Sequence, residues 1–191
     1  EWGVVCSGEG MFRFYPGKVT GEGFFAAVVR KADGKMRFRT PNARKEIFSQ
    51  PAKNELTEAR RWVAQPEYMY FALAGENIHG YYSGAYPTVK TLSETLTVIY
   101  SGVRMGQMFH GKLKPDHPLA LFHDLSREVV PEACLEKDAV LEYLRKHDLN
   151  PELFTEGMNL LTYGGLPVGW LKRIGHRANN MYPKELRIMN L

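Results

Sequence analysis

The 191 residues carry 44% hydrophobic and 24% charged side chains and a net charge of +4, the balance of an ordinary globular protein rather than a disordered or fibrous one. No apolar run approaches the ~20 residues of a membrane span, and no charged leader precedes an apolar block, so a soluble, cytoplasmic protein without a membrane partner is expected. Charge is unevenly spread: seven cations between Arg30 and Lys45 face one anion, Asp33, and five between Val168 and Arg187 face one, Glu185. Two such segments on an otherwise slightly acidic body suit a polyanionic partner.

The chain opens on Glu1 and Trp2, then the apolar pair Val4-Val5, as though cut from something longer. Met11 to Tyr15 and Gly23 to Lys31 read as strands. Within the second, Phe24 to Val29 is a nearly continuous apolar run of the kind buried on both faces. A lone hairpin cannot bury both faces, so these strands are expected to dock on the chain's own domains or on a second copy, giving a homo-oligomer. Residues 32 to 54, with Gly34, Pro41, Asn42 and Pro51, read as a turn and a linker.

Glu55 to Ala64 reads as a helix, with Asn54 as N-cap and Leu56, Ala59 and Val63 at helical spacing, ended by Gln65-Pro66. Glu67 to Leu73 and Asn77 to Ser83 read as paired strands around Ala74-Gly75-Glu76. Leu96 to Tyr100 reads as a strand, and Ser101 to Gly106 as a glycine-punctuated turn with Arg104 at its tip. Pro115 and Asp116 open a short helix through Leu125. The best helix runs from Leu135 to His147, acidic at its start (Glu136, Asp138) and basic at its end (Arg145, Lys146, His147), which complements the macrodipole. Three or four strands follow to Ile188. Two of them flank Gly164-Gly165, where glycine accepts positive φ at no steric cost.

Catalytic chemistry is scarce. Neither a phosphate-binding loop of the Gly-x-x-x-x-Gly-Lys-Ser/Thr type nor Gly-x-Ser-x-Gly nor His-Glu-x-x-His occurs. The six histidines never fall at ligand spacing with carboxylates or cysteines, and Cys6 and Cys134 read as small buried residues. The C-terminal basic hairpin is the stronger candidate, because its cations are interleaved with Tyr163, Trp170 and Tyr182. Aromatic rings among Lys and Arg can stack bases while the cations meet phosphates. Strand parity leaves open whether Trp170 and Tyr182 are exposed or are core residues of a small barrel.

Gly165-Leu166-Pro167-Val168-Gly169-Trp170-Leu171-Lys172, the close from Asn180 to Arg187, Lys114 to Leu121 and Glu142 to Arg145 resemble the PUA-like RNA-binding domain that ends RsmF-type enzymes of the Nop/Sun group of RNA cytosine-5 methyltransferases. Arg13-Phe14-Tyr15-Pro16 followed by Gly21-Glu22-Gly23-Phe24-Phe25-Ala26-Ala27 is similar to the last hairpin of their catalytic domain. The resemblance is strong at both ends and loose from about residue 40 to 92; Gly17 departs from it, where many relatives carry His. It implies an α+β chain in three parts: a remnant hairpin with a basic linker (1–40), a small mixed α/β domain (41–92), and a PUA-like mixed β-barrel domain with two helices (93–191).

The family's catalytic Pro-Cys and Thr-Cys settings and its S-adenosylmethionine site have no match here, so the resemblance implies no catalytic, cofactor or metal residue in this chain. The parent protein would transfer a methyl group from S-adenosylmethionine to C5 of a cytosine in RNA, ribosomal RNA foremost, as a step of rRNA processing. The expected RNA-binding residues are Arg104, Lys112, Trp170, Lys172, Arg173, Arg177, Tyr182 and Arg187. The competing expectation is a structural module that docks acidic or ribosome-maturation proteins.

Overall fold

The computed structural model describes residues 3–7, 10–19, 23–30 and 47–189. Six of the seven cations of the Arg30–Lys45 segment therefore lie outside the described residues. The chain divides into two compact units, residues 1–40 and 41–191, and the fold is α+β.

The first unit is an antiparallel meander of β1 (Val4–Ser7), β2 (Met11–Phe14) and β3 (Phe24–Ala27). Phe14 and Phe24 meet edge to face with centroids 5.7 Å apart. The expectation that Phe24 to Val29 is buried on both faces is not met: Phe24 is 66% and Val29 89% exposed. Three strands of four residues supply no second layer to cover an apolar face. Cys6 on β1 and Cys134 are also exposed rather than buried.

In the second unit, a five-stranded antiparallel sheet is built from β4 (Phe48–Ser49), β5 (Met69–Ala74), β6 (Asn77–Tyr82), β7 (Val103–Phe109) and β8 (Lys112–Pro115) in sequential order. Helix α1 (Lys53–Arg61) starts at Ala52 rather than Asn54, and Glu55 reaches back to accept the Ala52 N–H at 2.8 Å, one half of a capping box. It buries Ala59, with Trp62 and Val63 just beyond its end. Helix α2 (Tyr86–Thr95) covers the opposite face, where Tyr86 stacks on Tyr70 at 3.8 Å. Leu96 to Tyr100, read above as a strand, follows α2 without joining any sheet. The expected turn around Arg104 is instead the start of β7, and β6–β7 pairing crosses the expected boundary at 92/93.

Pro115 ends β8, and Asp116 caps the short helix α3 (His117–Ala120) by accepting the His117 N–H at 2.8 Å. The remaining strands form a mixed four-stranded sheet ordered β12-β11-β10-β9. Its members are β9 (Glu132–Cys134), β10 (Gly157–Tyr163), β11 (Leu166–Ile174) and β12 (Arg177–Asn180), with β9 parallel to β10. Gly164 (φ 56°) and Gly165 (φ 79°) form the two-residue turn between β10 and β11, the backbone of a type I′ hairpin. Helix α4 (Lys137–Leu144) packs against this sheet.

Strand β11 carries alternate side chains into two cores. Trp170 joins Trp62, Phe71, Ile78, Met105, Leu119 and Leu160, whereas Leu171 joins Val140, Tyr143 and Phe154. Trp170 is 1% exposed; its indole N–H donates to the Asp116 carbonyl at 2.8 Å and its ring meets Trp62 edge to face at 5.6 Å. Before it, Gly169 has φ +149°, and a Cβ there would sit 2.1 Å from the Tyr143 hydroxyl oxygen. That hydroxyl donates to the Trp170 carbonyl at 3.1 Å. Gly169-Trp170 is therefore an architectural step, and the expectation that Trp170 stacks a base is corrected: its ring has no free face.

Trp170→Ala should destabilise the protein by about 3–5 kcal/mol, the usual range for removing a buried aromatic ring, read as a lower midpoint in urea unfolding. A loss below about 1 kcal/mol would show that the two cores are not joined through this ring.

Buried His117 packs edge-on against Tyr182 at 5.1 Å, and its Nδ1 has no hydrogen-bond partner. Burial pushes its pKa below the ordinary 6.5, against the opposing pull of Asp116 and Glu185; burial shifts His79 in the same direction. Such groups bind protons more readily in the unfolded chain, so stability is full above about pH 6.5 and declines as pH falls toward the lowered folded values. Unfolding at stepped pH should show this slope, and His117→Gln should reduce it. A slope of opposite sign, or none, would contradict a neutral buried imidazole.

Candidate nucleic-acid interface

Hairpin geometry sorts the C-terminal cations onto two faces. β11 and β12 pair with Lys172 opposite Asn179 and Ile174 opposite Arg177, while Arg173 lies opposite Ala178. Directly opposed residues share a face and successive residues alternate. Lys172, Ile174, Arg177 and Asn179 therefore make one exposed group, and Arg173 projects from the other side.

Arg173 is committed internally. Its guanidinium donates to the Phe154 carbonyl at 2.6 Å and the Gly175 carbonyl at 3.0 Å, with Glu156 at 3.7 Å. Arg104, outside this hairpin, pairs with Asp116. Lys146, in the left-handed region at φ 68°, ends the turn after α4 and donates to the carbonyls of Asn180 at 2.7 Å and Tyr182 at 2.6 Å. Asn180 completes the clasp, its amide donating to the Tyr143 carbonyl at 2.8 Å and its Oδ1 accepting the Tyr182 N–H at 2.9 Å. Tyr182 is half-buried between His117 and Tyr143, so its ring serves this strap.

Lys172 and Arg177 have no ion-pair partner among the described residues. Arg187 is exposed beyond the 3₁₀ turn Lys184–Leu186, its Nε against the Met189 sulfur at 3.0 Å. Lys112 lies apart, at the start of β8. Of the eight expected contact residues, the structure thus brings Lys172 and Arg177 together on one open face and leaves Lys112 and Arg187 exposed elsewhere. Arg104 and Arg173 are tied to protein partners, and Trp170 and Tyr182 sit in or against the core.

Asn179 was not among the expected residues, although the turn could have revealed it: a two-residue Gly175-His176 loop sets 174 opposite 177 and hence 172 opposite 179. Its side chain adds an amide donor and acceptor between the two cations. The face is thus equipped to meet phosphate oxygens at both ends and a base edge or sugar in the middle.

Charge is also segregated along this part of the chain. From residue 131 to 156 there are seven anions and three cations, and from 157 to 188 five cations and one anion. The acidic half forms α4 and the loops beside it, while the basic half forms the hairpins.

No curated protein matches the chain closely enough to count as a relative. Residues 131–188 do match a family model, described as the methyltransferase RsmF PUA domain. The matched span takes in β9, α4 and β10 to β12 together with the clasp around Asn180, so this part of the chain is PUA-like, of the kind carried by RsmF-type methyltransferases.

Proposed function

We propose that the chain is the RNA-binding C-terminal region of an S-adenosylmethionine-dependent RNA cytosine-5 methyltransferase. It holds cytoplasmic ribosomal RNA for a catalytic domain that this chain does not itself contain. The observation that carries the proposal is the open Lys172–Asn179–Ile174–Arg177 face, lying inside the span that matches the RsmF PUA domain. Phosphate contacts from Lys172 and Arg177 set the register of the RNA, and Asn179 lies where it can reach a base edge or sugar between them. On this reading, cofactor binding and methyl transfer belong to the catalytic domain.

Affinity for RNA should fall linearly with salt on a logarithmic scale. Each phosphate neutralised, with release of its counterion, contributes roughly 0.7 to the slope for single strands and 0.9 for duplex. The double variant Lys172→Ala/Arg177→Ala should bind more weakly and lose about 1.4 of that slope for a single strand. Arg173→Ala should lower thermal stability, through loss of its Phe154 and Gly175 bonds, while leaving the slope unchanged. Equal slopes for wild type and the double variant would count against the proposed face. Adding S-adenosylmethionine should leave the melting temperature unchanged; a robust rise would place its site in this chain.

A further inference from the structure

The β7–β8 hairpin lies outside the matched PUA-like span and carries an open surface of its own. Phe109 pairs with Lys112 and Gln107 with Lys114, so these four side chains stand on one face of the ribbon. The alternate residues, Met108 and Leu113, pack into the core beneath. Phe109 is 65% exposed. A single apolar residue in water carries no message; this one has a lysine directly across the ladder and a second at the diagonal position.

Neither lysine has an ion-pair partner among the described residues. Glu58 of α1, which packs on β8, is directed elsewhere: its Oε1 accepts the Leu113 N–H at 3.3 Å and the Trp62 indole N–H at 3.2 Å, and its Oε2 pairs with Arg61 at 2.9 Å. Lys112 and Lys114 lie two residues apart on one strand, about 7 Å at ~3.4 Å per residue. That is comparable to one phosphate step of an extended nucleic-acid strand.

Two residues make the tip. His110 (φ 48°) and Gly111 (φ 75°) occupy the two-residue turn, both with positive φ as a type I′ hairpin needs. Histidine at such φ is uncommon. Here it brings the His110 ring edge-on to Phe109 at 4.3 Å, leaving the platform of Phe109 braced.

We propose that this face is a second RNA-contact site, specific for single-stranded stretches: Phe109 stacks an unpaired base while Lys112 and Lys114 meet the flanking phosphates. An exposed aromatic ring with two lysines beside it on the neighbouring strand suits a base and the phosphates next to it. A duplex, whose bases are already stacked, offers Phe109 nothing to hold. The proposal rests on the RNA-binding reading above and extends it to a surface that neither the matched span nor the β11–β12 face includes.

The test measures affinity of the full chain for a short single-stranded oligouridine and for an RNA duplex of matched length, each across a salt series. Phe109→Ala should weaken oligouridine binding roughly 5- to 150-fold, the effect expected for one lost base stack, and leave duplex binding unchanged. Phe109→Trp should keep the affinity and show indole fluorescence quenched by oligouridine. Lys112→Ala/Lys114→Ala should reduce the single-strand salt slope by about 1.4. If these variants bind like wild type while Lys172→Ala/Arg177→Ala fails to, the hairpin site is overturned and the RNA reading stands. If both sets bind like wild type, both fall. Equal losses for oligouridine and duplex after Phe109→Ala would overturn base stacking at this ring.

Discussion

The placement of Trp170 governs the second unit. Its indole N–H ends on the Asp116 carbonyl and its ring abuts Trp62, tying β11 to the start of α3 and to the residues that follow α1. One residue earlier, only glycine leaves room for the Tyr143 hydroxyl; one residue later, Leu171 enters the α4 core. A strand with core on both sides cannot slip by one residue without exposing the whole set. The register that buries Trp170 is thereby the register that turns Lys172 outward. Asp116 concentrates the connections, because it also caps α3 and pairs with Arg104.

This arrangement divides the cations by task. Arg104, Lys146 and Arg173 spend their donors on backbone carbonyls or a carboxylate and fix the fold. A fourth, Arg127, donates to the Gly165 carbonyl at 2.6 Å and steadies the β10–β11 turn. Lys172 and Arg177, in contrast, stand on the open face of the β11–β12 hairpin with no ion-pair partner among the described residues. Positive charge held on strands rather than on loops loses little conformational freedom when it meets phosphate, which favours recognition by position over loose attraction. The match to the RsmF PUA domain and the charge segregation between residues 131 and 188 point to the same polyanionic partner.

Parts of this were legible in the sequence because local and tertiary preferences agree there. The Gly164-Gly165 turn needs positive φ and has the one residue that adopts it freely; the apolar stripe of α4 faces its core as its spacing demands. Elsewhere tertiary structure overrode local pattern. The α2 segment, with Thr88, Val89, Thr91 and Thr95 of modest helix propensity, is assigned no element from sequence, yet with Pro87 near its N-terminus and Tyr86 packed on Tyr70 it is helical. Leu96 to Tyr100 is rich in β-formers but finds no sheet edge. A basic hairpin was visible from composition alone. Which of its cations are free was not, because the partners of Arg173 and Arg104 lie 19 and 12 residues away along the chain, Phe154 and Asp116.

The most direct measurement is a backbone-amide NMR titration of the protein with RNA. The account predicts that, within β11 and β12, the largest shifts fall on Lys172, Ile174, Arg177 and Asn179, while the Trp170 indole N–H and Arg173 change little. Shifts confined to Arg173 and its side of the hairpin, or an RNA complex that leaves residues 172 to 179 unperturbed, would contradict it.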